Sequence, residues 1–322
     1  MLRRLAKTLA RTVISGMPFK KRLVFMAASM PCSLKNRFFK YPLALRTFSA
    51  LLFRFRTRPP FPVRTNLGIS DATDVELPST LARPLDLFGT PSLYRGERGP
   101  LLLAQQLCRH CHTFVDIGAH IGYYTHFIQA HATHPLVVYY FEPDPELYRI
   151  IQENLARTRG RHAYGFNQAI GATGGPAPFF RDLNNSSMSS LMREDAGHPV
   201  RSIAVEVVTF DAFAERAGLR DDYLVKVDVE NAEWAFVEGA RTALGSMPYL
   251  ILEILGPARH RGLVDHLIRT FGFRCYYING LTLEAMEAED RRYTSGEWNF
   301  LFCRDSPDQL REKIGRSRLQ VA

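Results

Sequence analysis

Three apolar runs in the middle of the chain each carry or meet a carboxylate at their C-terminal end, and a helical period follows each one. They are Thr113–Ile117 with Asp116, Leu136–Phe141 followed by Glu142, and Tyr223–Val229 with Asp228. Continuous apolar runs of this length suit strands buried on both faces of a parallel sheet. Tyr164–Ile170, Tyr249–Leu255, Arg274–Ile278 and Asn299–Cys303 extend the series, and Val205–Val208 is short and extended. Helical periods fall over Tyr123–Ala130, Pro145–Arg157, Ala232–Leu244 and Leu263–Phe271. Strands alternating with helices predict an α/β fold with a doubly wound, mostly parallel, seven-stranded sheet. Ligands of such folds sit beyond the carboxyl ends of the strands, so the polar residues at those ends are the candidates for chemistry.

The first strand runs into Val115-Asp116-Ile117-Gly118-Ala119-His120-Ile121-Gly122. Gly118 and Gly122 straddle the turn into a helix, where glycine permits positive φ and close approach of a ligand. The G-x-G-x-x-G turn that cradles a dinucleotide pyrophosphate is missing, which disfavours an NAD-dependent oxidoreductase. A sulfonium cofactor has no phosphate to cradle, and its amine, carboxylate and ribose suit a strand-end Asp beside glycine. Glu142, 26 residues after Asp116, is placed to accept hydrogen bonds from ribose hydroxyls. The fourth run gives Lys226-Val227-Asp228-Val229-Glu230-Asn231-Ala232-Glu233. Strand periodicity places Asp228 and Glu230 on one face, helical spacing joins Glu230 to Glu233, and helix capping accounts for Glu233. Glu253 interrupts the apolar run Ile251–Ile254. A buried carboxylate needs a partner, so Glu253 either points into the site or pairs with Lys226.

These pieces resemble the FkbM-type methyltransferase family. The resemblance rests on VDIGAHIGYYT (115–125), FEPDPELYRIIQENL (141–155), the turn at 169–171, SSMSSL (186–191), VVTFDAF (207–213), VKVDVENAEWAFVEGA (225–240) and LILEI (250–254), with LFGTPSLYRGERG (87–99) as a lead-in. Asn231 stands where the family usually has Gly. The resemblance implies a class I methyltransferase fold of Rossmann-like type, S-adenosyl-L-methionine as methyl donor, and O-methylation, often of sugars. It places Asp116, Gly118 and Gly122 at the methionine part of the cofactor, Glu142 at the ribose and Ala169 near the adenine. Asp228 is the first choice for the base that takes the hydroxyl proton, with Glu230 or Glu253 second. A divalent metal held by these carboxylates is the less favoured route, because no His joins the cluster. Cys108-Arg-His-Cys111-His112 has metal-ligand spacing, but without a second ligand pair it reads as apolar thiols at a helix end.

Charge divides the chain. Residues 1–70 hold fifteen Lys or Arg and no Asp or Glu, leaving 26 basic against 32 acidic residues in the rest. Leu2, Leu5, Leu9, Val13 and Ile14, with Arg3, Arg4, Lys7 and Arg11 between them, predict a basic helical N-terminal extension. Interfacial helices have this composition, which suggests contact of residues 1–65 with an anionic membrane surface. No apolar run reaches the ~20 residues that span a bilayer. The expected organisation is a basic extension over 1–80, a methyltransferase domain over 81–305 and a C-terminal tail over 306–322. The expected acceptor is a carbohydrate or glycolipid, and the expected location is cytoplasmic, peripheral on the inner face of a membrane. A nucleic-acid acceptor is disfavoured, since no Asn/Asp-Pro-Pro-aromatic tetrapeptide occurs. A non-catalytic, membrane-peripheral binding protein is the contrasting reading, and the intact strand-end acids count against it.

Overall fold

The computed structural model describes residues 63–66, 74–77, 95–157, 162–182, 189–192, 200–254, 257–288, 299–315 and 317–322. The helix expected near Leu2–Ile14 and the aromatic and basic residues up to 62 lie outside them. The chain divides into two compact units, Met1–Leu93 and Tyr94–Ala322. In the first, β1 (Val63–Asn66) pairs antiparallel with β2 (Asp74–Leu77).

The second unit is built on a nine-stranded sheet. Its core comprises β3 (Thr113–Ile117), β4 (Val137–Phe141), β5 (Ala163–Phe166), β9 (Tyr223–Val227) and β10 (Tyr249–Glu253). All five are parallel, in the order β10-β9-β3-β4-β5. Beyond β10 the sheet continues with β13 (Asn299–Cys303), β11 (Arg274–Asn279), β12 (Thr282–Met286) and β14 (Gln320–Val321). The antiparallel β13 enters between β10 and β11. The seven strands expected from the sequence are therefore joined by two more, β12 and β14. The latter comes from the C-terminal stretch, where α8 (Pro307–Ile314) is opened by a capping box between Ser306 and Gln309.

Helices cover both faces. On one lie α1 (Arg95–Leu107) and α2 (Tyr123–His131), and α3 (Pro145–Arg157) packs near its β4 edge through Ile151 and Leu155. On the other lie α4 (Phe210–Ala217), α5 (Glu233–Gly239), α6 (Arg241–Leu244) and α7 (Pro257–Phe271). Side chains alternate between the faces along each strand. Phe114, Val138, Leu224, Ile251 and Leu301 pack under α1, α2 and α8, whereas Val115, Ile117, Val225, Val227 and Leu252 pack under α4–α7. Cys108 and Cys111 are buried in the first of these cores, and burial raises both thiols well above the usual range.

Two expected elements are divided in the structure. The strand expected over Tyr164–Ile170 splits after Phe166. Its second part, β6 (Ala169–Ile170), joins a separate three-stranded sheet with β8 (Val200–Val208) and β7 (Gly175–Asp182). The helix expected over Ala232–Leu244 breaks at Ala240, which has left helical geometry at φ −117°. Gly239, just before the break, lies where a Cβ would sit 2.0 Å from the Gly171 carbonyl oxygen. Close packing of α5 against the exit of β6 requires glycine there.

Candidate active site

A cavity open to solvent lies above the C-terminal ends of β3, β4 and β9. Gly118, Glu142, Ala169, Asp228 and Glu230 all border it. Of the residues singled out in the sequence, these five come together. Its middle is apolar, with Ile117, Phe141, Leu147 and Ile170 from the main body and Phe179 and Leu191 from the small-sheet region.

The turn after β3 has the conformation its glycines allow. Gly118 has φ 77° and Gly122 φ 78°. Gly118 has no room for a side chain, because a Cβ would lie 1.8 Å from the Asp228 carbonyl oxygen. Gly122 is the N-cap of α2, and a Cβ there would press on His126 and Ile151. Gly122 does not border the cavity. Nor does Asp116, whose side chain projects to the face opposite Ile117, where it accepts hydrogen bonds from the Thr125 amide (3.0 Å) and hydroxyl (2.6 Å). Burial raises Asp116 to about 6, against the lowering effect of Thr125 and Lys226. It ties the first turn of α2 to β3.

Glu142 is held from two directions. One carboxylate oxygen accepts from the His120 amide and the other from the Asp144 amide, each at 2.8 Å. The Asn167 side chain donates to the carbonyls of Glu142 and Pro143. Burial nevertheless pushes the Glu142 carboxyl up to about 8, with Asp144 and Asp116 adding to the rise. Asp144 forms a 2.6 Å ion pair with Arg181 of β7, which also reaches Glu146 at 2.8 Å. The sequence reading assigned no role to Asp144, Asn167 or Arg181. Only the FEPD run hinted at the first.

The end of β9 departs from simple periodicity. The strand stops at Val227, so the alternation expected to align Asp228 with Glu230 does not extend that far. Glu230 and Asn231 adopt left-handed φ of 48° and 73°, and α5 begins only at Glu233. Glu230 therefore does not share a helix face with Glu233. Asn tolerates this conformation better than most residues, which accounts for Asn in place of Gly at 231. Glu233 is buried and accepts from the Asn231 amide at 3.0 Å, fixing the turn.

Behind the turn, Lys226 is fully buried. Its ammonium lies 3.6 Å from Asp228 and 3.8 Å from Glu253, and 5.2 Å from the centre of the Tyr124 ring. The Tyr124 hydroxyl donates to Glu97 at 2.6 Å. Glu253 thus pairs with Lys226 and does not border the cavity. Burial, reinforced by Asp228, raises it to about 9. Among the described residues no His, Cys, Asp or Glu group has the arrangement of a metal site.

The Methyltransferase FkbM domain matches residues 116–277, which is half of the 322-residue chain and spans β3 to β11. The chain belongs to this family. A similar protein is the hexuronic acid methyltransferase AglP of Haloferax volcanii, 26% identical over 166 residues. The match takes in 50% of this chain and 63% of that protein, so the chain spans less than two thirds of its relative. Among solved structures, a methyltransferase FkbM from Methylobacillus flagellatus is 18% identical over 60% of this chain and 44% of that one, with a TM-score of 0.39. The O-methyltransferase TomG from Streptomyces achromogenes is 12% identical over 64% and 78%, with a TM-score of 0.33. Residues 116–277, within the α/β unit, form its methyltransferase FkbM domain.

Proposed function

We propose that this domain is an S-adenosylmethionine-dependent O-methyltransferase acting on a sugar hydroxyl of a glycan or glycolipid. The observation that carries the reading is one cavity bordered by both the Gly118–Glu142 pair and the Asp228–Glu230 pair. Its walls fit the cofactor. The apolar stretch suits a flat adenine, Glu142 supplies acceptor oxygens at the sugar, and the carboxylates after β9 favour a nearby cation. Asp116 and Gly122 support the site from behind by fixing α2 against β3. When bound, S-adenosylmethionine supplies an electrophilic methyl carbon.

The chain's own residues do the rest. The Gly118 turn and Glu142 hold the reaction partners in register, and proximity provides much of the acceleration in such displacements. Asp228 takes the proton that the acceptor hydroxyl gives up as its oxygen attacks. Buried Lys226, 3.6 Å away, orients that carboxylate between turnovers. Glu230 stands beside it at the cavity wall, and Glu253 is a neighbour in the Lys226 network. The likeness to a hexuronic acid methyltransferase supports a carbohydrate acceptor. The acid-free basic stretch over residues 1–65 supports attachment to an anionic membrane surface, where a glycolipid would be presented. Isothermal calorimetry with S-adenosylhomocysteine, followed by transfer of a labelled methyl group to extracted glycans and glycolipids, tests the reading. Failure to bind S-adenosylhomocysteine would refute it.

A further inference from the structure

The face of the sheet under α1 and α2 carries a row of polar residues across the ends of four adjacent strands. Asp116 of β3 is paired directly with Lys226 of β9. Glu253 at the end of β10 is paired directly with Asn299 at the start of β13. Partners in antiparallel register put their side chains on the same face, with Cβ atoms about 5 Å apart. Asn299 therefore stands beside Glu253, and Asp228 leans toward the same row through Lys226. Asn299 is 4% exposed and its Oδ1 has no hydrogen-bond partner. A buried carbonyl left unpaired is costly, and the main-sheet packing gives no structural reason for a polar side chain there. Leu301, two residues on and on the same face, is an ordinary core residue.

We propose that Glu253 and Asn299, next to Asp228, form the acceptor subsite and select a neutral sugar with a hydroxyl adjacent to the one methylated. This assignment rests on the O-methyltransferase reading and deepens it. The three side chains offer oxygen acceptors in a row, so the matching ligand presents several O–H donors side by side, as a vicinal diol does. One hydroxyl meets Asp228 and gives up its proton. Its neighbour donates to Glu253 and Asn299.

The charge balance of the row decides between neutral and anionic sugars. Lys226 is the cation at its centre and is already shared by Asp228 and Glu253, with Glu97 and Asp116 near enough to act on it as well. Burial first, and then the neighbouring Asp228 charge, raise Glu253 to about 9, so the row resists a second ionised carboxyl beside Asp228. A carboxylated sugar would add another. The acceptor is therefore expected to differ in charge from the hexuronic acid named for the haloarchaeal relative. Lys226 is a positioning residue in this arrangement, acting through Asp228 and Glu253.

The test uses the full chain, S-adenosylmethionine with a labelled methyl group, and methyl glycosides of glucose, galactose, mannose and glucuronic acid at millimolar concentration. The expected result is transfer to at least one neutral glycoside, with kcat/KM at least tenfold above that for the glucuronic acid glycoside. Removing the hydroxyl next to the methylated one, in the matching deoxy glycoside, should lower kcat/KM at least thirtyfold. Asn299→Ala and Asn299→Asp should each raise the acceptor KM at least tenfold, with affinity for S-adenosylhomocysteine within twofold of the wild type. Preference for the uronic acid, equal use of the deoxy sugar, or an unchanged KM in a folded Asn299 variant would overturn the assignment. So would binding of S-adenosylhomocysteine without transfer to any neutral glycoside, and the methyltransferase reading would then survive. Loss of S-adenosylhomocysteine binding in the wild type would overturn both.

Discussion

The backbone of Gly118 and the carbonyl of Asp228 are in contact, so that a single Cβ on Gly118 would come within 1.8 Å of the Asp228 carbonyl oxygen. The turn proposed to hold the cofactor and the residue proposed to take the proton are therefore set against each other by backbone alone. Gly118→Ala must both occupy positive φ and push the two strand ends apart. Its stability should fall by about 2–4 kcal/mol, read as a shift in the urea midpoint. A variant as stable as the wild type would show that the two turns are not in contact.

Glu142 gives a prediction about pH. Burial raises its carboxyl to about 8, so much of it is protonated at neutral pH. Ribose hydroxyls donate to the ionised form, and affinity for S-adenosylhomocysteine should therefore rise from pH 6.5 to about 8 and then level off. Proton release on binding should appear as a dependence of the calorimetric enthalpy on buffer. Glu142→Gln should flatten the pH profile, and Glu142→Ala should weaken binding by about 1–3 kcal/mol. A profile of the same shape in wild type and Glu142→Gln would remove Glu142 from the cofactor site.

Asp228→Asn should lower turnover by roughly 10²–10⁴-fold while leaving affinity for S-adenosylhomocysteine within a few-fold. Single-turnover transfer measured across pH separates the two effects. Undiminished turnover at every pH would place the base elsewhere. Activity abolished by a chelator and restored by magnesium would favour metal assistance.

Stability should fall between pH 7 and 8.5. Glu142 and Glu253 have folded values near 8 and 9, above their ordinary values near 4.5. The folded state then binds more protons than the unfolded state, so the stability these groups contribute is lost as pH rises through the folded values. His126 acts in the opposite sense, since burial lowers it to about 4, but its contribution changes only below about pH 6.5. The midpoint of thermal unfolding should drop by several degrees across the window, and less in Glu142→Gln and Glu253→Gln. A midpoint that is flat or rising in the wild type would contradict the burial of these carboxyls.

The basic segment has its own test. Full-length protein should sediment with anionic vesicles and not with neutral ones, and salt should weaken the association. Deletion of residues 1–65 should abolish it. Indifference of the full-length chain to anionic vesicles at low salt would end the membrane proposal.

The strand ends were legible because a carboxylate inside or directly after an apolar run has few structural uses. Asp116, Glu142 and Asp228 could be picked out on that basis. Their directions were not legible. Asp116 turns to the face opposite Ile117 and serves Thr125; alternation along Thr113–Ile117 separates these two residues but does not say which face meets the cavity. The sequence allows Glu253 two fates, and its 3.8 Å approach to Lys226 decides for pairing. Periodicity misled at Glu230, because the strand ends at Val227 and two left-handed residues follow. Asn299 carried no signal at all. Its importance depends on the register of β13 against β10, which joins residues far apart in the chain.

The small sheet supplies Phe179 to the cavity wall and, through Arg181, grips the loop after β4 at Asp144 and Glu146. The wall is thus a long excursion between β5 and α4, outside the hydrogen-bonded ladder of the main sheet. Residues can be added to it or exchanged along it without shifting the register of any strand that carries Gly118, Glu142 or Asp228. A lineage could reshape what this cavity admits while the groups doing chemistry stay fixed, with one guanidinium keeping the altered wall in place.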